Sequence, residues 1–177
     1  MLVREDVVSK ERLKEIKRVK DIVEKRLKIR INFGDRFVEA EGENSLTISL
    51  FEDFIKAINA GFPLEDALKI VTEDYIIREI DVEMYSGKKK SHKRRIIGRI
   101  VGREGSAKRT IEEMTNTKII VTDRIVYILG FPEDVSIAAE AVEEILSGRK
   151  HSTAYNKIRR KARWRKLERK YQTIHPV

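Results

Sequence analysis

Residues 97–121, Ile-Gly-Arg-Ile-Val-Gly-Arg-Glu-Gly-Ser-Ala-Lys-Arg-Thr-Ile-Glu-Glu-Met-Thr-Asn-Thr-Lys-Ile-Ile-Val, decide how this chain is read. At their centre Gly102-Arg103-Glu104-Gly105 is a Gly-x-x-Gly tetrad. An apolar stretch runs into it, a basic amphipathic stretch runs out of it, and a β-branched run follows. The pattern predicts helix, tight corner, helix, strand. Glycine at each end leaves main chain uncovered by Cβ, so a phosphate or sugar can lie directly on the backbone. The helix beginning after Gly105 brings free N–H groups and the positive end of its dipole to the same place.

Towards the C-terminus, Lys118 to Thr122 reads as a strand, Asp123-Arg124 as a tight turn and Ile125 to Leu129 as its antiparallel partner. Pro132 to Leu146 reads as a helix with Val135, Ala138, Ala139, Val142, Ile145 and Leu146 on its buried face, ended by Ser147-Gly148. Towards the N-terminus, His92 to Val101 reads as a short helix with Ile96, Ile97 and Ile100 inward, Ser86 to Ser91 as a basic loop, and Tyr75 to Tyr85 as a strand. Earlier still, the pattern predicts one helix over Ser9–Leu27, a hairpin of Ile29–Phe33 and Arg36–Ala40, a helix from Leu46 towards Ala60 capped by Glu43-Asn44-Ser45, and a short helix from Pro63 to Val71.

From Tyr75 the order is β-α-α-β-β-α around a Gly-x-x-Gly corner. That is the type I (eukaryotic-type) KH topology, whose loop clamps about four nucleotides of single-stranded backbone. From Ser9 the order is only α-β-β-α, and no glycine precedes Gly34. The fold expected is therefore α+β, with tandem KH domains. A degenerate KH-like unit with linker helices spans 1–73, a KH domain 74–148, and a basic C-terminal helix and tail 149–177.

Charge supports a polyanionic partner. The 177 residues carry a net charge of +9, yet residues 1–80 hold 15 Lys and Arg against 17 Asp and Glu. Residues 81–177 hold 23 against 12, so the whole excess lies in the half with the tetrad. Residues 149–170 alone carry 11 basic residues and one acidic residue, Glu168, with Tyr155, Ile158, Ala162, Trp164 and Leu167 interleaved. A basic helix from Thr153 to about Lys170 is expected, with Ile158, Ala162 and Arg165 sharing a face. Trp164 has two readings, a packing anchor or a platform on which a base stacks.

The RNA-binding residues expected from the loop are Gly102, Arg103, Glu104, Gly105 and Ser106, flanked by Arg94, Arg95, Arg99, Lys108 and Arg109. Glu104 departs from what a phosphate prefers, but backbone N–H groups do most of the holding. The groove beside the loop is expected to be lined by Ile100, Val101, Ile111, Ile119 and Val121, and the tail contributes Lys157, Arg160, Arg163 and Trp164.

Other chemistries lack their residues. Lys108 sits between Ala107 and Arg109, so the Gly-x-x-x-x-Gly-Lys-[Ser/Thr] phosphate loop is absent. The chain has no cysteine, and His92, His151 and His175 are scattered among basic residues without ligand spacing. Ser106 and Thr110 have no histidine partner in the pattern, and the adjacent pairs Glu112-Glu113 and Glu143-Glu144 point apart on a helix. No catalytic residue, metal or cofactor is expected. The chain has no apolar run long enough for a membrane span, and its N-terminus has no apolar leader, so a cytoplasmic protein without a membrane partner is expected.

Arg99–Gly105, Ile111–Thr115 and Tyr155–Arg159 resemble the partner-of-Nob family of KH-domain ribosome-assembly proteins, as do Lys56–Pro63, Ala67-Leu68 and Asp74-Tyr75. The resemblance covers roughly residues 46–160, and archaeal members are similar in size to this chain. It implies a single-stranded RNA-binding factor for small-subunit ribosomal RNA near its 3′ end, assisting the Nob endonuclease in maturing that end. It also implies a link to the alpha subunit of translation initiation factor two. The alternative expectation is a protein adaptor docking the initiation factor or the endonuclease, with RNA contact secondary.

Overall fold

Strand β1, Leu2–Asp6, is the element that the pattern above leaves out. The computed structural model describes residues 1–87 and 89–174, with side chains through 161 and at 163–165 and 167. Residue 88 of the expected basic loop, and His175, fall outside them. β1 has three charged side chains in five residues and alternates between exposed and half-buried, so it offers no apolar signal. It is held by antiparallel pairing with β3, Phe37–Glu41, from Leu2↔Glu41 to Asp6↔Phe37, and the Arg4 guanidinium lies 3.4 Å above the Phe37 ring.

The chain divides into two units, Met1–Ile77 and Arg78–Val177. In the first, the helix expected over Ser9–Leu27 is two helices, α1 (Lys10–Arg18) and α2 (Lys20–Leu27). Val19 breaks them apart: its backbone leaves the helical region (φ −109°, ψ 7°) and its N–H turns back to the Ile16 carbonyl. Ser9 caps α1, its hydroxyl accepting from the Arg12 N–H. Strand β2 (Arg30–Phe33) pairs with β3 in a sheet ordered β1-β3-β2. Helix α3 (Ser45–Ala60) begins where its capping sequence predicts, with Asn44 accepting from the Leu46 N–H, and ends on Gly61 in the left-handed region. Helix α4 (Leu64–Thr72) follows. Ile16, Val23, Ile31, Val38, Ile48, Phe51 and Phe54 are fully buried, and each such side chain contributes about 1.5–3 kcal/mol.

This first unit is thus β-α-α-β-β-α as well. Its opening strand and first helix are present, contrary to the sequence expectation, and only the glycine corner is missing.

The second unit runs β4 (Ile76–Asp81), α5 (Glu83–Ser86), α6 (Lys90–Val101), a single 3-10 turn at Arg103–Gly105, α7 (Ser106–Thr115), β5 (Lys118–Val121), β6 (Ile125–Gly130), α8 (Pro132–Leu146) and α9 (His151–Ile174). Its sheet is ordered β4-β6-β5. The strand expected to reach Tyr85 stops at Asp81, whose Oδ1 accepts from the Glu83 N–H at 2.8 Å and turns the chain into α5. Helix α9 packs along α8 and α7, so the basic tail is part of this unit and not a separate segment.

The two units repeat one another with a shift of 88 positions from α2 onwards. Lys20, Glu24, Ile31, Asp35, Arg36 and Gly42 recur as Lys108, Glu112, Ile119, Asp123, Arg124 and Gly130. The bonds recur too. Glu24 Oε1 accepts from the Ile31 N–H, and Glu112 Oε1 from the Ile119 N–H, both at 2.7 Å. The Val7 N–H donates to the Arg36 carbonyl, and the Val82 N–H to the Arg124 carbonyl, both at 2.8 Å. Each glutamate also pairs with its lysine one turn earlier, at 3.7 Å in the first unit and 3.0 Å in the second. One carboxylate therefore ties α2 to β2 in the first unit and α7 to β5 in the second.

Removing that carboxylate leaves a partly buried strand N–H without an acceptor. Glu112→Ala is expected to lower stability by about 1–3 kcal/mol, read as an earlier urea unfolding midpoint, and Glu24→Ala to do the same.

Candidate nucleic-acid interface

The corner between α6 and α7 is built from backbone that side chains rarely allow. Gly102 has φ 73° and ψ 177°, a region open essentially to glycine, and a Cβ there would meet the Ala107 N and Cβ at 2.7 Å. Gly105 has φ 79°, with open space where its Cβ would be. Glu104 also sits at positive φ, 51°. Its carbonyl is fixed by the Arg109 guanidinium at 2.9 Å. No side chain caps α7, and the N–H of its first residue, Ser106, donates back to the Arg103 carbonyl within the corner, beside the exposed side chains of Arg103 and Glu104.

Helix α6 places its cations on two opposite faces. Lys90, Lys93, Arg94 and Ile97 line a groove of about 460 Å³ against Thr122 and Asp123 of the β5–β6 turn. On that same face Val101 is half-buried just before Gly102. Arg95 and Arg99, expected beside Arg94, instead line a separate cleft of about 510 Å³ with Tyr85, His92 and Ser147. Arg99 is also engaged: its guanidinium donates to the Arg149 carbonyl, and its own carbonyl lies 2.8 Å from His151 Nε2.

Other expected groove residues lie beneath the surface. Ile100, Ile111 and Ile119 are at most 1% exposed and belong to the core under the groove. Val101, expected in the groove, is half-buried, and Ile97, expected inward, joins it as the accessible apolar strip. The spacing 90-93-94-97-101 contains that stripe, but the opposite stripe 92-95-96-99 also mixes basic and apolar residues, so periodicity alone did not choose between them. Lys108 is taken up by the Glu112 carboxylate, at 3.0 Å to each oxygen, and Arg109 by the loop carbonyl, so both shape the corner from within.

Helix α9 is two-faced. Ala154 and Ile158 are fully buried, and Lys157, Lys161 and Arg165 pair with Glu144, Glu140 and Glu133 of α8 at 3.0, 2.6 and 2.6 Å. Burial raises the Tyr155 hydroxyl above its usual range, and a hydrogen bond with Thr110 of α7 pulls it partly back. The other face carries Asn156, Arg159, Arg160, Arg163, Trp164 and Leu167 around a shallow cleft of about 420 Å³. Trp164 is 65% exposed, so it is not a packing anchor for the described residues. Of the tail residues expected at RNA, Lys157 belongs to the α8 face, whereas Arg160, Arg163 and Trp164 stand together on the open one.

Among the described residues no group of three or more His, Asp or Glu side chains is placed to hold a metal ion, and no helix is long and apolar enough to cross a membrane.

A β-α-α-β-β-α unit with a positive-φ Gly-x-x-Gly corner and a basic groove beside it is a type I KH domain. The second KH domain of PNO1, a eukaryotic-type KH-domain (KH-domain type I), matches residues 76–163. A KH domain-containing protein of Methanocaldococcus jannaschii is 36% identical over 80% of this chain and 64% of its own length. The pre-rRNA-processing protein pno1 of Aspergillus oryzae is 31% identical over 77% of this chain and 55% of its own. The chain thus spans between half and two thirds of these curated relatives. A chain of the a/eIF2alpha–aDim2p–rRNA complex from Pyrococcus horikoshii matches at a TM-score of 0.72 and 26% identity, covering 92% of this chain and 94% of that one. The chain belongs to the partner-of-Nob (PNO1/Dim2) family of RNA-binding KH proteins.

Two outcomes follow from the geometry. Gly105→Ala meets only the left-handed backbone penalty, about 1–2 kcal/mol. Gly102→Ala adds a collision with Ala107, so it is expected to be clearly the less stable of the two in thermal unfolding.

The docking of α9 has a defined pH response. The hydrogen bond from Lys157 holds the Glu144 carboxyl below its ordinary range and the Lys157 ammonium above its own. The pair therefore supports docking throughout neutral pH. Its contribution is lost as pH falls through the lowered Glu144 value, or rises through the raised Lys157 value. The protection of the Ala154 and Ile158 amides, taken relative to their intrinsic exchange rates at each pH, is expected to be high and constant through neutrality and to fall in acid and in high salt.

Proposed function

We propose that this chain is a non-catalytic, single-stranded RNA-binding factor that engages the 3′ region of small-subunit ribosomal RNA during its maturation. The observation that carries the proposal is the uncovered Gly105 in the Gly102–Gly105 corner that ends α6, the helix that lines a groove with Lys90, Lys93 and Arg94. Unpaired nucleotides lay their backbone on the corner while their bases enter the groove beside Ile97 and Val101. Arg159, Arg160 and Arg163 with Trp164 extend the contact by neutralising phosphates and stacking a base. Relatives named for pre-rRNA processing, and a similar chain found in a complex with rRNA, support the same reading.

Protein docking accompanies RNA binding in this proposal. The similar chain shares its complex with an initiation factor alpha subunit, and residues 1–80 of this chain are near neutral in charge. The first unit lacks a glycine corner and serves as the docking half, towards that subunit or towards the Nob endonuclease that the family resemblance implies. The place of action that fits is the cytoplasm.

The test keeps both glycines, because Gly102 tolerates no side chain. Arg103→Asp combined with Glu104→Asp places negative charge on the corner, and aspartate tolerates the left-handed region. Affinity for a fluorescent oligonucleotide matching the 3′ end of small-subunit rRNA is expected to fall by more than about tenfold, the loss of one strong charged contact, with unchanged circular dichroism. Equal binding by wild type and variant rejects the groove as the RNA site. Incubation with the same RNA and magnesium is expected to leave it uncut.

A further inference from the structure

The groove holds a carboxylate that phosphate binding does not explain. Asp123 lies exposed at its rim, beside Lys90, Lys93, Arg94, Ile97 and Thr122. Its side chain makes no hydrogen bond or ion pair with any described residue. The turn does not need it. Thr122 Oγ1 does the local work, accepting from the Ile125 N–H at 2.9 Å and the Arg124 N–H at 3.3 Å and donating to the Ile125 carbonyl.

The first unit provides an internal comparison. Its equivalent residue, Asp35, on the equivalent turn, is held by Lys10, the first residue of α1, at 3.3 Å. In the second unit α6 begins with Lys90, but Lys93 is drawn to Glu83 at 3.2 Å, and neither Lys90 nor Arg94 closes on Asp123. The turn carboxylate is engaged in the unit without a glycine corner, and has no partner among the described residues in the unit with one.

A bare carboxylate repels phosphate, so in a groove that takes a nucleic-acid strand it faces a base. Bases splayed from a single strand are read on their Watson–Crick edges. An ionised aspartate is an acceptor with two oxygens. Guanine matches it with two adjacent donors, N1–H and the N2 amino group. Adenine and cytosine set an amino group beside a ring acceptor, and uracil sets one N–H between two carbonyls. Each of those edges turns a lone pair towards the carboxylate. Ile97 and the Thr122 methyl supply an apolar wall for the base face.

We propose that Asp123 is a specificity-determining residue of this groove, accepting two hydrogen bonds from the Watson–Crick edge of an unpaired guanine. The proposal rests on the single-strand reading of the groove given above. The test uses the full chain and oligouridine decamers carrying one central guanosine, inosine, adenosine or cytidine, with binding read by fluorescence anisotropy at fixed salt. Wild type is expected to prefer guanosine by about tenfold or more over adenosine and cytidine, the worth of one good bidentate base contact. Inosine, which lacks the N2 amino group, should fall between.

Asp123→Asn replaces one acceptor by a donor and should move the preference to adenosine or cytidine. Asp123→Ala should flatten the order without creating a new preference. Retention of the wild-type order in both variants, or equal binding of all four probes by wild type, overturns the proposal. Failure of wild type to bind any decamer instead overturns the single-strand reading on which it rests.

Discussion

The corner between α6 and α7 depends on one backbone constraint, the φ of 73° and ψ of 177° at Gly102. That conformation ends α6 and starts α7 four residues later, and it presses the corner so close to Ala107 that no side chain fits. With the turn made there, the N-terminus of α7 opens outward and α6 lays a basic, partly apolar stripe alongside it. The Arg109 guanidinium on the Glu104 carbonyl, and the Glu112 carboxylate joining Lys108 to the Ile119 N–H, then hold the corner against the sheet. A side chain at Gly102 would undo the site even if every charged residue were kept.

The duplication shows how little separates a binding unit from a structural one. Both units share topology, a glutamate that fastens helix to strand, and the same turn. The tetrad, counted back 88 positions, falls at residues 14–17, where the first unit is still helix α1. Its helix junction is the single buried residue Val19, where the second unit has its four-residue glycine corner. Lys10 reaches Asp35, and Lys17 lies 5.3 Å over the Phe33 ring, so side chains of the unit itself occupy ground that stays open in its twin. Two copies of one scaffold thus expose different side chains and backbone at corresponding places.

Charge follows the same logic in α9. A helix with 11 basic residues in its neighbourhood would repel itself and its surroundings if all of them faced one way. Part of that charge is spent on Glu133, Glu140 and Glu144 of α8, which with buried Ala154 and Ile158 fastens the helix down. Exposed pairs of this kind are individually weak, and the buried stripe and the Tyr155–Thr110 contact carry the rest. The remaining arginines are left outward with Trp164, on a rigid support that a free tail would lack.

Much of this was legible in the residues. The Gly-x-x-Gly corner, the helices on either side of it, the β5–β6 hairpin, the Asn44 cap and the concentration of positive charge after residue 80 are local properties, set by spacing, by glycine and by apolar period. What the chain order alone left open was long-range. β1 has no apolar pattern and exists because β3 offers it an edge. Val19 splits a continuous helical pattern because the fold needs two helices there. The division of α6 into a groove face with Arg94 and a back face with Arg95 and Arg99, the burial of Ile100 and Ile119, and the pairing of Lys157 against the freedom of Arg160 all depend on which neighbour packs where. A sequence lists charges and apolar groups along one line, and only three-dimensional packing determines which of them meet each other and which are left to meet a ligand.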